Sequence, residues 1–245
     1  MIGAGAQTKP WNPDLVNLTT PGVLEQGDQS TRLDLRAFQQ DEGIGYGEVE
    51  LGFGLGHRLE ADFKGVFGSR GSHGIAGGGS IDHGGSDGEV QLKYRLPFAI
   101  ETSVQAGVAL ASTPAQDGRL SATAGLSVFY PLASRVKLYV NPRVAALDHN
   151  SLAGIGVGTE IELSGNLSLV GDWTPLVAGD NTVNTTSGSR DRAQVYSAAL
   201  RISRVAQDTF IDIGYTSATG GTTGFGLTPG LGGSGAFYAG VTFRR

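Results

Sequence analysis

Five stretches of this 245-residue chain bring chemistry-bearing residues or motif-like glycines close together, and none of them has the setting its chemistry needs. Gly84-Gly85-Ser86-Asp87-Gly88 matches the Gly-x-Ser-x-Gly string of serine hydrolases. That string works on a sharp strand-to-helix turn that exposes the serine, and here it sits in a glycine-rich stretch. Asp148-His149-Asn150-Ser151 lines up triad-type residues. Immediate neighbours cannot converge on one proton, so this reads as a polar turn. His73, Asp82, His83 and Asp87 could face one metal ion, but their spacing follows no ligand pattern and a hydrated loop is the simpler reading. Gly52-Phe53-Gly54 and Gly154-Ile155-Gly156-Val157-Gly158 are not dinucleotide fingerprints, because no helix follows them. The chain reads as a non-enzyme with no cofactor and no metal.

What remains is an ionic pattern with a period of two. From Arg58 to Phe67, Leu59, Ala61, Phe63, Gly65 and Phe67 alternate with Arg58, Glu60, Asp62 and Lys64. Side chains of a strand alternate faces, so this is a ribbon with one apolar and one charged side. Such ribbons recur at about 31–38, 45–55, 58–68, 89–96, 99–111, 119–130, 136–146, 153–163, 167–175, 193–203, 209–216 and 236–243. A strand of ~10 residues rises about 33 Å, and a tilt of ~40° leaves close to the 25 Å of an outer-membrane apolar band. The expected fold is all-β: a closed, antiparallel, up-and-down transmembrane β-barrel of 12 strands, spanning residues 30–245. Residues 1–29 carry no period and include Pro10, Trp11, Pro13 and Pro21. They read as an extended N-terminal segment, either a periplasmic tail or a partial plug. Ala4-Gly5-Ala6 ahead of Gln7 reads equally as the small-residue end of a leader and as a natural start.

Connections alternate between short ones (56–57, 97–98, 131–135, 164–166, 204–208) and mostly longer ones (39–44, 69–88, 112–118, 147–152, 176–192, 217–235). Short periplasmic turns and longer outer loops are the habit of such barrels, and an even strand number puts both termini in the periplasm. The loops at 69–88, 176–192 and 217–235 are the expected sites for surface partners.

The outward positions contain no Asp, Glu, Lys or Arg, although 17% of the chain is charged. A cationic side chain at the bilayer midplane costs roughly 2–4 kcal/mol, which explains the gap. Outward Phe53, Tyr94, Tyr130 and Phe243 fall at the periplasmic strand ends, and Phe67, Trp173, Tyr196, Tyr215 and Phe237 at the outer ends. Two membrane-interface girdles result, in contact with outer-membrane lipid. The alternative is a soluble barrel with the faces inverted, binding an apolar ligand.

Inward, and so expected to line the lumen, are the bases Arg32, Arg36, Arg58, Lys64, Lys93, Arg95, Lys137, Arg143 and Arg201. The inward acids are Asp34, Glu48, Glu50, Glu60, Asp62, Glu89, Glu101, Glu160, Glu162, Asp172 and Asp212. Charges inside a barrel need water or partners. Elsewhere the inward residues are small: Gly107, Ala109, Ser121, Thr123, Gly125, Gly154, Gly156 and Gly158. Bulky ions on one wall and glycines on the other predict open space off the axis. Eight-stranded barrels are filled and sixteen-stranded ones open, so twelve strands lie between. The expectation is a porin-like channel for small polar or charged solutes with a weak cation preference, the alternative a closed structural or adhesive barrel.

Other classes are excluded by composition. No apolar run approaches the ~20 residues of a membrane helix. A net charge of −5 argues against a nucleic-acid binder, and the absence of cysteine removes disulfides and thiolate metal sites. All four histidines lie in connections on this reading, away from the outward rim where a barrel lipase would need one. Pro142 inside a strand predicts a bulge.

The last strand, Ala236-Phe237-Tyr238-Ala239-Gly240-Val241-Thr242-Phe243, resembles the C-terminal assembly signal of bacterial outer-membrane proteins. It departs from that pattern by ending Phe243-Arg244-Arg245 instead of on an aromatic residue. By strand count the chain is similar to the twelve-stranded group of outer-membrane barrels. That group holds nucleoside and oligosaccharide channels and the outer-membrane phospholipase. The resemblance implies the bacterial outer membrane as the compartment.

Overall fold

The computed structural model describes residues 13–38, 45–74, 80–112, 119–146, 150–204 and 208–245. Nine strands come first: β1 (Gln29–Phe38), β2 (Gly45–Gly56), β3 (Leu59–Gly74), β4 (Ser80–Arg95), β5 (Thr102–Ser112), β6 (Arg119–Ala133), β7 (Val136–Ala146), β8 (Leu152–Ser164) and β9 (Leu167–Thr174). Three short strands follow within one connection: β10 (Leu176–Ala178), β11 (Thr182–Val183) and β12 (Arg190–Asp191). The chain then returns as β13 (Val195–Arg204), β14 (Thr209–Thr216) and β15 (Ala236–Arg244). β1 to β9 and β13 to β15 pair in chain order, every neighbour antiparallel, and β15 pairs with β1 to close a twelve-stranded barrel. The closure leaves no long edge in the wall, so backbone groups are satisfied within the ladder. The terminal strands are tied where they meet, Gln29 and Arg245 exchanging two backbone hydrogen bonds of 3.0 and 2.8 Å.

The faces follow the period-two pattern. Phe63 and Val104 are 44% and 39% exposed, whereas Glu60 and Lys93 are each 3% exposed. The inverted, soluble arrangement would require the opposite. The apolar side chains look outward and the ions are enclosed.

Four local expectations are corrected. Residues 69–88 are not one loop: β3 and β4 run on as a paired hairpin from His73–Ile81 down to Gly65–Gly88, with a register shift between Phe67 and Arg70. A ribbon that extends past the bilayer has water on both sides, so its sequence loses amphipathic alternation while its backbone ladder continues. His73, Asp82 and His83 therefore lie in strands, and Gly84 to Gly88 belong to β4 with no helix after them. No group of three or more metal-ligating side chains occurs among the described residues; Asp148 and His149 lie outside them.

The second correction is that β5 begins at Thr102, because the chain bends over 97–100 where Pro97 has no N–H to donate. The third concerns Pro142, which causes no bulge. It pairs in unbroken register with Ile155 of β8, and on the β6 side Leu126 and Ser127, opposite it and Asn141, drop out of the ladder without a change of register. There the Asn141 amide donates to the Leu126 carbonyl at 3.0 Å and to the Ser127 hydroxyl at 2.8 Å. A side-chain donor takes over where the ring nitrogen cannot serve.

The last correction is that the 217–235 connection is not a surface loop. Ala218, Thr222 and Leu227 are fully buried, and the segment folds inward through two 3-10 turns, Phe225–Leu227 and Leu231–Gly233. The 176–192 connection stays at the rim, with β10 paired to β8 and β11 to β12.

Candidate functional site in the occupied lumen

The charged wall is built by β1 to β4, whose direct cross-strand neighbours place ions opposite one another: Arg32–Glu50, Glu50–Lys64, Lys64–Glu89 and Glu60–Lys93. Arg32 pairs with Asp34 at 2.9 Å and Arg36 with Glu48 at 3.2 Å. Lys64 pairs with Glu50 at 3.2 Å and Lys93 with Glu60 at 2.9 Å. On the far side Arg201 pairs with its cross-strand neighbour Asp212 at 2.7 Å. Asp62, Glu89, Arg143, Glu160 and Asp172 are also buried, and Lys137, with a part-exposed side chain, pairs with Glu160 at 3.2 Å. Unpaired ions here would each cost several kcal/mol of desolvation, so these pairs make the interior tolerable.

Four of the expected lining residues are not in the interior. Arg58 is exposed in the turn before β3 and Glu162 is exposed at the end of β8. Arg95 and Glu101 are part-exposed at the turn between β4 and β5, Arg95 donating to the His57 carbonyl at 3.3 Å. Their period-two phase points inward, but Arg58 and Glu101 lie outside the strands, and Arg95 and Glu162 stand near the ends of the ladder, opposite Ser103 and Ser168, where inside and outside merge. Asp87, by contrast, is buried inside. It continues the inward alternation of Glu89, Gln91 and Lys93, a signal that the loop reading of 69–88 passed over.

The lumen is occupied by two segments that are not strands. Residues 13–28 enter past Gly54, whose N–H donates to the Asp28 carbonyl at 2.9 Å, and then run along the inside of the wall. Four consecutive carbonyls of this segment accept from wall arginines. Arg201 reaches Asp14 at 2.7 Å, Arg32 reaches Leu15 at 3.1 Å and Val16 at 3.3 Å, and Arg143 reaches Asn17 at 2.5 Å. The Asn17 side chain donates to Asp172 at 3.2 Å and to the Thr216 hydroxyl at 2.9 Å, and Ser127 donates to the Thr19 carbonyl at 2.8 Å. Asp172 is held in turn by the Ser197 hydroxyl.

The apolar side chains of the segment fill the space that the glycines leave. Leu15, Val16 and Leu18 form one buried cluster with Tyr139, Val170, Ala199 and Tyr238. A Cβ added at Gly158 would stand 2.5 Å from Leu15, and one at Gly156 would collide with Leu18. Fully burying each leucine contributes roughly 1.5–3 kcal/mol. The off-axis space expected from the glycine wall is thus taken up by the chain's own N-terminal segment.

The 217–235 segment closes the opposite end of the lumen. Its tip rests on three wall carboxylates: the Gly221 N–H donates to Glu48 at 2.8 Å, the Thr222 hydroxyl to Asp87 at 2.6 Å, and the Thr223 N–H to Glu89 at 2.7 Å. Phe225 packs into a second apolar cluster with Phe38, Tyr46, Val66 and Ala236. Leu227 lies where a Cβ at Gly154 would be, 2.6 Å away. A cavity between Asp14 to Thr19, the charged wall and Gly221 has room for no more than about one water.

On the outside, the rings gather at the two ends. Tyr196 stands opposite Trp173 and Tyr215 opposite Phe237 on neighbouring strands, Tyr215 and Phe237 meeting edge-to-face at 6.1 Å. Phe67 projects from β3 at the level of Gly47, near the start of β2. At the other end Phe53 faces Gln29, Tyr94 faces Leu59, Phe243 faces Thr31, and Tyr130 stands near the end of β6.

A closed antiparallel barrel with a lipid-type exterior and an ionic interior defines the class: this is the fold of an outer-membrane β-barrel. Solved structures show the following similarities. The chain is similar to CymD, a monoaromatic hydrocarbon channel, at 9% identity over 91% of this chain and 89% of that one, with a TM-score of 0.50. The toluene transporter TodX of Pseudomonas putida matches at 8% identity over 89% of each chain, with a TM-score of 0.45. OmpF of Salmonella typhi matches at 9% identity over 89% and 96%, with a TM-score of 0.40. No protein-family model matches the sequence, and no curated protein matches it. At these identities the likeness is one of fold.

Proposed function

We propose that the protein is a bacterial outer-membrane channel for small polar or charged solutes, closed at rest by residues 13–28 and by the 217–235 segment. The observation that carries this reading is that the lumen is filled by the segment ahead of β1 and by a connection, not by the wall. Without them, a twelve-stranded wall encloses a tunnel lined by ions on one side and by Gly107, Gly125, Gly154, Gly156 and Gly158 on the other. Both termini and the short turns belong on the periplasmic side, so the N-terminal segment enters from the periplasm.

Among the described residues the buried wall ions are nine acids (Asp34, Glu48, Glu60, Asp62, Asp87, Glu89, Glu160, Asp172 and Asp212) against six bases (Arg32, Arg36, Lys64, Lys93, Arg143 and Arg201). That excess supports cation preference in the unplugged state. Single-channel recording of the full chain beside a variant lacking residues 1–24 tests the proposal. The full chain is expected to stay closed with rare steps, and the shortened one to show steady ohmic steps with a cation-selective reversal potential. A shortened barrel that inserts, shifts on a gel with heat and conducts nothing would overturn it.

One observation favours a second reading, a structural barrel with a permanently closed lumen: among the described residues, the cavity between Asp14 to Thr19 and the charged wall admits no more than about one water. The same recording separates the two.

A further inference from the structure

Resting on that channel reading, we propose that Glu48, Asp87 and Glu89 form a recognition site for small organic cations that carry N–H donors, and that the 221–223 tip is its tethered competitor. Glu48 and Asp87 flank Val66 in one cross-strand row of β2, β3 and β4, and Glu89 is the next inward residue along β4. The row lies toward the loop end of the barrel, where a solute arriving from outside first meets the wall.

The tip offers this site only neutral donors: two backbone N–H groups and the hydroxyls of Thr222 and Thr223, at 2.6–2.8 Å. Glu48 has a cationic partner in Arg36, but among the described residues no lysine or arginine pairs with Asp87 or Glu89. Lys64, opposite Glu89, is turned to Glu50 and Asp14, and Arg143 is spent on backbone carbonyls. Two carboxylate oxygens, Glu48 Oε1 and Asp87 Oδ1, belong to side chains only 4% exposed and accept no hydrogen bond. A carboxylate is acceptor-only, and a cationic donor adds a charge–charge attraction that a neutral N–H or O–H lacks. An ammonium or guanidinium group can fill the vacant acceptors and supply the missing charge. The tip does neither. Gly221 is what lets the tip come this close, since a Cβ there would collide with the Glu48 carboxylate.

The test is calorimetric titration of the full chain in detergent with 1,4-diaminobutane and with its permethylated analogue, which has the same charges and no N–H. The diamine is expected to bind saturably, about tenfold more tightly than the analogue, the difference that one charge-assisted hydrogen bond makes. Asp87→Asn with Glu89→Gln, checked for folding by the heat-dependent gel shift, is expected to abolish that preference. Thr222→Val with Thr223→Val leaves the carboxylates intact and weakens the competitor, so the diamine should bind it more tightly than the parent. Equal binding of the two probes, or diamine binding unchanged by the Asp87 and Glu89 substitutions, would overturn the proposal. No readout requires ion flow, so a chain that binds the diamine and never conducts defeats the channel reading alone. One that conducts without preferring the N–H probe defeats this inference alone.

Discussion

Arg143 donates to the carbonyl of Asn17 at 2.5 Å across 126 residues of sequence, and its other terminal nitrogen reaches the Gly226 carbonyl at 2.8 Å. One guanidinium on β7 therefore touches both segments that fill the lumen, and no carboxylate within ion-pair distance holds it among the described residues. Replacing it by Leu removes two charge-assisted bonds worth about 1.5–3 kcal/mol each and leaves two buried carbonyls unmet. Arg143→Leu is expected to lower the unfolding free energy in urea and to expose residues 13–24 to protease while the barrel stays resistant. Protection equal to the parent's would show that the two segments are held independently of Arg143.

Gly158 is a contact surface for Leu15 and Leu18, which a Cβ would meet at 2.5 and 2.9 Å. Gly158→Val overpacks that contact by an amount that typically costs 1–3 kcal/mol, and the N-terminal segment is the part free to move. The variant should conduct more often than the parent, whereas Gly165→Val, at a turn where a Cβ meets nothing within 4 Å, should leave conductance alone. Equal open times in the two variants would rule out the segment as the plug.

The chain contains no cysteine, so a pair can be introduced into a clean background. Leu18→Cys with Gly156→Cys places the thiols where the leucine now touches the glycine, within reach of a disulfide. Oxidation is expected to silence channel steps and a reductant to restore them in the same bilayer. Steps that persist in the fully oxidised protein would mean that solutes pass by another route.

Val108 lies near mid-height on β5 and is 49% exposed on the outer face. Val108→Arg should destabilise the barrel in lipid by roughly 2–4 kcal/mol, and Val108→Phe by much less, because the cost is one of moving charge into hydrocarbon. A refolding titration in bilayers measures both. Similar costs for Arg and Phe would place that face against protein or water.

The wall was legible because its signal is local and repeated. A strand between lipid and lumen must alternate, so Leu59 to Phe67 reveals its faces without reference to any other part of the chain. The pairing order followed from the alternation of short and long connections, since antiparallel neighbours need only a turn. Several errors fall where two-sided chemistry ends, at β3 and β4 beyond Phe67 and at Arg58 and Glu162 by the rim; those at Pro142 and in 217–235 depended on tertiary contacts.

The candidate site was legible by half. Glu48 and Glu89 sit on amphipathic ribbons and were placed inward from their phase; Asp87, two residues earlier along β4, was assigned to a loop by its glycine neighbours. Thr222 and Thr223 carried no signal, because a hydroxyl in an irregular segment looks the same whether it meets water or a carboxylate.

The sequence by itself determined the twelve ribbons, which face of each is apolar, and where the aromatic rings fall along them, since each depends on residues one or two positions apart. Only the tertiary structure decided what fills the barrel. Asn17 meets Asp172 across 155 residues and Thr216 across 199, and Thr223 meets Glu89 across 134. Segments without periodicity have no intrinsic face, so their partners are set by the shape and charge of a lumen that exists only once the wall has closed.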